Sequence, residues 1–204
     1  MVAQQQREFA EAIGYYEQAL AIYIKYGDRF EQASTYHQFG RVAEELREFA
    51  KARSYYQQAL AIYIESKDRF SQAPIYNQLG IISQEQWEFA EAIGYYQQAL
   101  AIKIEFKDRF SQAPTCHQLG NVAQILGKFA EARRYYQEAL AIYIEYSDRF
   151  SQASTYACLG LLAEDEKNYP EARANLQIAL EIFVEFKDEY KAARTREFLE
   201  RLPE

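Results

Sequence analysis

Apolar side chains return along this chain at helical intervals, in two alternating registers. In the first, Ala33, Tyr36, Phe39, Gly40, Ala43 and Leu46 fall at steps of three, with Gly40 directly after Phe39, within residues 32–47. In the second, Phe49, Ala52, Tyr56, Ala59, Leu60, Tyr63 and Ile64 follow the same rhythm within residues 49–66. Such spacing puts one apolar stripe on each of two amphipathic α-helices. A break near Arg47-Glu48 separates them, so they read as helix A and helix B of one hairpin.

The hairpin recurs every 40 residues. Asp68-Arg69-Phe70-Ser71-Gln72-Ala73 returns unchanged at 108–113 and 148–153, and with one change at 28–33. Ala-Leu-Ala-Ile stands at 19–22, 59–62, 99–102 and 139–142. A period of this length means one supersecondary unit stacked along an axis, each copy burying its apolar face on its neighbours. The expected fold is all-α, a right-handed superhelical solenoid of helical hairpins spanning 1–204 as one domain. It divides into a partial unit 1–27, units 28–67, 68–107, 108–147 and 148–187, and a capping helix in 188–204. B helices are expected near 9–26, 49–66, 89–106, 129–146 and 169–187. A helices are expected near 31–47, 71–87, 111–127, 151–167 and 189–201.

Prolines and turn residues set the boundaries. Pro74 and Pro114 suit a first helical turn, which predicts N-caps at Ser71 and Ser111. Pro170 follows Asn168 at the start of the last B helix, and Gly27-Asp28, Lys67-Asp68, Lys107-Asp108 and Ser147-Asp148 carry turn chemistry. In each Asp-Arg-Phe triplet, Asp favours the helix start, Phe is expected to anchor the turn in the core, and Arg to pair with a carboxylate. Val2-Ala3 and Arg7-Glu8-Phe9 match Val42-Ala43 and Arg47-Glu48-Phe49, so Met1 falls where Arg41 falls. That register predicts a piece of a longer array, with an open apolar face at its N-terminal end able to self-associate. At the other end Glu200 replaces the glycine of Gly40, Gly80, Gly120 and Gly160. Together with Lys191, Arg194, Arg196, Glu197 and Arg201 it predicts a solvated cap.

Composition narrows the function. The net charge of −7 argues against nucleic acid and anionic membranes, both of which need a basic footprint. The apolar runs are too short to span a bilayer, and no leader pattern opens the chain. Cys116 and Cys158 form no pairing pattern, which fits a reducing, cytoplasmic setting.

Within each unit the residues resemble the tetratricopeptide repeat in its longer, 40-residue form. Helix A shows an aromatic followed by Leu-Gly, and helix B an Ala–aromatic–Ala series. The units give Tyr36, Phe39-Gly40, Ala52, Tyr56 and Ala59; Tyr76, Leu79-Gly80, Ala92, Tyr96 and Ala99; Cys116, Leu119-Gly120, Ala132, Tyr136 and Ala139; and Tyr156, Leu159-Gly160, Ala172, Leu176 and Ala179. A glycine near the A-to-B turn appears only as Gly127, and the proline after helix B is absent. The array is similar to those of kinesin light chains and of bacterial signalling NTPases and caspase-like proteases. The resemblance implies a protein- or peptide-binding scaffold whose A helices line a concave groove.

The groove positions that follow are His37, Gln38, Arg41 and Glu44; Asn77, Gln78, Ile81 and Gln84; His117, Gln118, Asn121 and Gln124; and Ala157, Cys158, Leu161 and Glu164. Amides at Gln38, Gln78 and Gln118 offer both donors and acceptors to an extended backbone, with Ile81 and Leu161 as apolar anchors. Arg41 stands against Glu44, Glu45, Glu85, Glu164 and Asp165, so the expected partner is neutral or basic, and RNA is disfavoured. Of the lysine and asparagine pattern of carboxylate-clamp relatives, only Asn121 is matched. No phosphate loop, nucleophile elbow or acid–base pair is present, so neither catalysis nor a cofactor is expected. His37 and His117 lie two units apart. With neighbouring helices about 8–10 Å apart they cannot share a metal, and no metal site is expected. Cys116 holds a core position as an inert thiol, and a Cys116–Cys158 disulfide is disfavoured. The competing reading is a structural or self-assembling spacer with no cognate peptide.

Overall fold

The computed structural model describes residues 2–203, with side chains from Phe9 onward. Among the described residues there are ten helices and no strand: α1 (Val2–Tyr26), α2 (Arg29–Glu45), α3 (Phe49–Glu65), α4 (Arg69–Glu85), α5 (Phe89–Glu105), α6 (Arg109–Ile125), α7 (Phe129–Glu145), α8 (Arg149–Asp165), α9 (Tyr169–Glu185) and α10 (Glu189–Arg201). Even-numbered helices are the A helices and odd-numbered ones the B helices. The expectation built on Met1 and on the side chains of Val2, Ala3, Arg7 and Glu8 lies outside the described residues.

The B helices from α3 onward begin where the pattern predicts. The A helices begin two residues earlier, at Arg29, Arg69, Arg109 and Arg149. The cap is the aspartate before them, not Ser71 or Ser111. Asp28, Asp68, Asp108, Asp148 and Asp188 each accept the backbone N–H three residues on, at 2.9–3.2 Å. A carboxylate there satisfies an orphan donor and also meets the positive end of the helix dipole, which a serine hydroxyl does not. Pro74 and Pro114 therefore sit inside α4 and α6, one turn deeper than expected. Asn168 caps α9, with Pro170 in its first turn.

Every turn has one geometry. Its middle residue is left-handed: Arg47 (φ 57°), Lys67 (58°), Trp87 (63°), Lys107 (56°), Ser147 (57°), Lys167 (61°) and Lys187 (57°), with glycine only at Gly27 and Gly127. Paired bonds close the helix ahead of it, such as Glu48 N–H to Ala43 C=O and Arg47 N–H to Glu44 C=O, both 2.8 Å.

The contacts gather into two compact units, Met1–Ile102 and Lys103–Glu204. In the first, Ala33, Ala43, Ala52, Tyr56, Ala59, Ile62, Tyr63, Ile75, Leu79 and Ile82 form one buried cluster. In the second, buried clusters form around Tyr136 with Leu159 and Leu162, around Ile182 with Phe183, and around Leu176 with Leu202. In both units the A and B helices of a hairpin touch through glycine. A Cβ on Gly80 would lie 2.6 Å from the Tyr96 ring, one on Gly120 2.6 Å from the Tyr136 ring, and one on Gly160 2.7 Å from Leu176 Cγ.

Side-chain clasps join each B helix to the A helix that follows. Gln32, Gln72, Gln112 and Gln152 are buried, and their amides donate to the carbonyls of Tyr23, Tyr63, Lys103 and Tyr143 at 3.0–3.4 Å. Arg29, Arg109 and Arg149 pair with Glu65, Glu145 and Glu185 as the triplet predicts. Phe30, Phe70 and Phe110 depart from expectation: each is about half exposed, at 55%, 56% and 43%. Phe30 lays one edge on Tyr63 and Phe110 meets Tyr146, with ring centres 6.0 and 5.2 Å apart, and the remainder faces out. Arg53 reaches the following hairpin, where it meets Glu88, Glu91 and Gln86. Arg133 does the same with Glu166 and Glu171.

One core position breaks the pattern. Tyr63, Tyr143 and Phe183 fill a buried aromatic register in which the corresponding residue of α5 is Lys103, only 7% exposed. Its Nζ donates to Thr115 Oγ1 at 2.6 Å. Burial pushes its pKa down to about 8, against weaker opposing attraction from Asp108 and Cys116.

Two predictions follow from this packing. Gly80→Ala is expected to destabilise by about 1–3 kcal/mol, because the Tyr96 ring has to move. Gly94→Ala, whose Cβ meets nothing within 4 Å, should stabilise by up to about 1 kcal/mol through helix propensity; urea unfolding of both variants checks the pair. For Lys103, the unfolded pKa is about 10.4, so at this site the unfolded chain binds more protons between about pH 8 and 10, and its contribution to stability rises with pH there. The raised thiol pKa values of Cys116 and Cys158 act in the opposite direction, so the Lys103 contribution is read as a difference: the change in stability from about pH 7.5 to 9.5 should be less favourable in Lys103→Met than in the parent by on the order of 1–2 kcal/mol, in urea titrations at the two pH values.

Candidate functional site

The residues expected to recognise a partner lie on the face of each A helix beside its contact with helix B, and the core tyrosines reach that face. Tyr56, Tyr96 and Tyr136 are buried at 0–1% exposure, yet each carries its hydroxyl through to a side chain on the A helix. Tyr56 donates to Glu44 Oε2 at 2.7 Å and Tyr96 to Gln84 Oε1 at 3.0 Å. Tyr136 lies 2.7 Å from Asn121 Oδ1 and 2.9 Å from Gln124 Oε1. Ring and hydroxyl thus do separate work, one filling the hairpin and the other fixing a polar group at its edge. At Leu176 the hydroxyl is missing, and Glu164 is held instead by Arg201 at 2.7 and 3.1 Å.

In the first unit His37 is half-buried, its ring tilted against Tyr56 with centres 5.8 Å apart. Burial, and then the charge of Arg41, lower its pKa, so it is a neutral imidazole. Arg41 is exposed and donates to Gln38 at 3.4 Å. Burial raises the pKa of Glu44, with the Tyr56 hydroxyl acting in the opposite sense. Asn77, Gln78, Ile81 and Gln84 are half-buried along α4. Ile81 shares a depression of about 350 Å³ with Glu44, Glu45, Glu85, Arg47 and Phe49, where Arg47 meets Glu85 at 3.4 Å. This end of the surface is acidic around Ile81 and Phe49.

In the second unit His117, Gln118, Asn121 and Gln124 line α6 and Leu161 lies on α8, all half-buried. Asn121 donates to Gln118 at 2.8 Å, and Gln124 donates to Asp165 at 2.7 Å. Beside them, Ser151, Ser154 and Tyr143 complete a hollow of about 310 Å³. Both cysteines are free thiols. Cys116 is fully buried, and burial pushes its pKa up to about 12.

The pairing that does form joins His117 to Cys158, with Nε2 and Sγ 3.6 Å apart. Burial pushes His117 down to about 4 and Cys158 up to about 11, so the two face each other as imidazole and thiol. That is not an activated nucleophile, which requires a thiolate beside a cation. Nothing in either residue alone singled it out. The signal was positional: residue 117 and residue 158 stand at adjacent registers of successive A helices, 41 apart in a chain of period 40. Among the described residues no group of three His, Cys, Asp or Glu side chains is placed to hold a metal ion, and no helix is long and apolar enough to cross a membrane.

These hairpins are tetratricopeptide repeats. The model of the Tetratricopeptide repeat family matches residues 1–65 and 71–145, more than half of the chain, and the protein belongs to that family. Its fold, an all-α solenoid of such hairpins, is also that of solved structures at low sequence identity. BtubC (BKLC) from P. vanneervenii is 22% identical, with a TM-score of 0.74 over 96% of this chain and 86% of that one. The STAND protein PH0952 from Pyrococcus horikoshii, which has a tetratricopeptide repeat sensor, is 20% identical, with a TM-score of 0.85 over 97% of this chain and 30% of that one. A Rap protein complexed with competence and sporulation factor is 19% identical, with a TM-score of 0.78 over 96% and 55%. The chain thus spans under a third of PH0952 and about half of the Rap protein. No curated protein matches the sequence.

Proposed function

We propose that this array is a non-catalytic recognition module, forming one solenoid within a larger cytoplasmic multidomain protein, that binds a protein or peptide along its A-helix face. The observation that carries this reading is the set of tyrosine hydroxyls that hold Glu44, Gln84, Asn121 and Gln124 from below. Side chains fixed before binding lose less entropy when a ligand arrives. In the first unit the amides of Gln38 and Gln78 then meet an extended backbone and Ile81 receives an apolar side chain; in the second, Gln118 and Leu161 play the same two parts. The acidic surround of Ile81 and the charge of −7 favour a neutral or basic partner over nucleic acid. The Rap protein complexed with competence and sporulation factor supports the reading by analogy of fold. Peptides selected against the protein from a display library should bind at least about tenfold more weakly to an Asn77→Ala/Gln78→Ala variant that melts normally. Unchanged affinity by calorimetry would refute the assignment of this face.

A second reading, self-assembly, is favoured by α1. Its Ala12, Tyr16 and Ala19 are half-exposed where Ala52, Tyr56 and Ala59 are buried. Ile22 is 54% exposed against 5% for Ile62 in the same unit. Such a face is apolar enough to associate. Light scattering should give a mass that rises with concentration, and Ile22→Glu should reduce it to the monomer. A concentration-independent monomer mass for the unaltered chain would eliminate this reading.

A further inference from the structure

The surroundings of His117 and Cys158 go beyond what peptide recognition requires. Thr155 on α8 backs the ring. Its Oγ1 lies 2.9 Å from the Ser151 carbonyl and 3.2 Å from His117 Nδ1. In the tautomer with the proton on Nδ1, Thr155 accepts from the imidazole and the lone pair of Nε2 faces Cys158 Sγ, 3.6 Å away. The Tyr136 ring lies against the imidazole with centres 5.5 Å apart and 61° between planes, which fixes its orientation. A third donor, Asn121 Oδ1, stands 3.8 Å from the same sulfur and 2.7 Å from the Tyr136 hydroxyl.

We propose that Cys158 Sγ, His117 Nε2 and Asn121 Oδ1 form a binding site for a thiophilic d¹⁰ cation, Zn²⁺ or Cu⁺, with a position left open toward the hollow beside Gln118 and Ser154. The spacing fits this use. Zinc bonds of about 2.3 Å to sulfur and about 2.0–2.1 Å to nitrogen, at a tetrahedral angle, span about 3.6 Å between the donor atoms, which is the separation found. Cu⁺, which also takes thiolate and imidazole, would be held by the same Cys158 and His117 atoms. Thr155 supplies the outer hydrogen bond that metal-binding histidines use to fix their tautomer. Sulfur and imidazole select against Mg²⁺ and Ca²⁺. On binding, the Cys158 S–H proton leaves to solvent and the sulfur–metal bond takes its place, with no change of oxidation state. The site lies between successive A helices of one unit, so occupancy would tie α6 to α8.

The full chain, stripped with a chelator, can be titrated with Co²⁺ as a spectroscopic stand-in for Zn²⁺, and separately with Cu⁺ against a chromogenic chelator. One equivalent per chain is expected, with thiolate-to-cobalt charge transfer if the site is tetrahedral, or retention of Cu⁺ alone if it is two-coordinate. Cys158→Ser should abolish binding, and Cys116→Ser should leave it intact. Thr155→Val changes no ligand and should weaken it by about 10–100-fold, with a helical circular dichroism spectrum and melt like those of the parent. Failure to bind either ion, binding that survives Cys158→Ser, or binding indifferent to Thr155→Val in a folded protein would each overturn the assignment.

Discussion

The structure depends on how closely helix A can approach helix B. At Gly80 and Gly120 the aromatic ring of the partner helix occupies the space a Cβ would take. The same contact recurs at Gly40 against Tyr56 and at Gly160 against Leu176. A ring held that tightly has one rotamer, and its hydroxyl then emerges at one place. The polar edge of the A helix is therefore set by the core: Glu44 and Gln84 are bonded by the residues that fill the hairpin. Where Leu176 replaces the tyrosine, the close approach survives but the hydroxyl does not, and Glu164 turns to Arg201.

Stacking depends on a different kind of group. The buried glutamines at 32, 72, 112 and 152 bond carbonyls at the C-terminal end of the preceding B helix, the same carbonyls that accept the backbone N–H of the following aspartate. Each is within the hexapeptide that repeats most faithfully, four residues after the aspartate that caps the A helix. One short segment thus stops one helix, starts the next and sets the spacing between them. This explains why it is copied nearly without change although it contains only one core alanine.

Much of this was legible in the sequence, because a 40-residue period averages out local ambiguity and both helical stripes stand clear in every copy. The caps were not. Serine and aspartate are both good N-caps, and the prolines drew the boundary toward Ser71, whereas the helix tolerates Pro74 one turn in. Phe150 packs against the core as expected, but Phe30, Phe70 and Phe110 were misjudged, because an aromatic beside a turn can rest one edge on a neighbour and remain exposed, as Phe30 does on Tyr63. The groove residues were found by register. Their anchoring by Tyr56, Tyr96 and Tyr136 was not, since an apolar stripe does not say where a hydroxyl will surface.

Departures from the period carry information of their own. In a copied array every position starts with a residue that already fits, so a replacement that worsens the fit calls for another cause. Lys103 puts an ammonium where Tyr63, Tyr143 and Phe183 put rings, and its lowered pKa measures the cost. No contact of Lys103 shows a gain that offsets it. Cys158 is different. At the register where Gln38, Gln78 and Gln118 stand, it sets a thiol 3.6 Å from Nε2 of His117, whose Nδ1 faces Thr155. Glutamine there would satisfy the same surface with no desolvated sulfur. A histidine oriented from behind by Thr155 and from the side by Tyr136, facing the protein's one partly exposed cysteine, is better arranged for coordination than for packing.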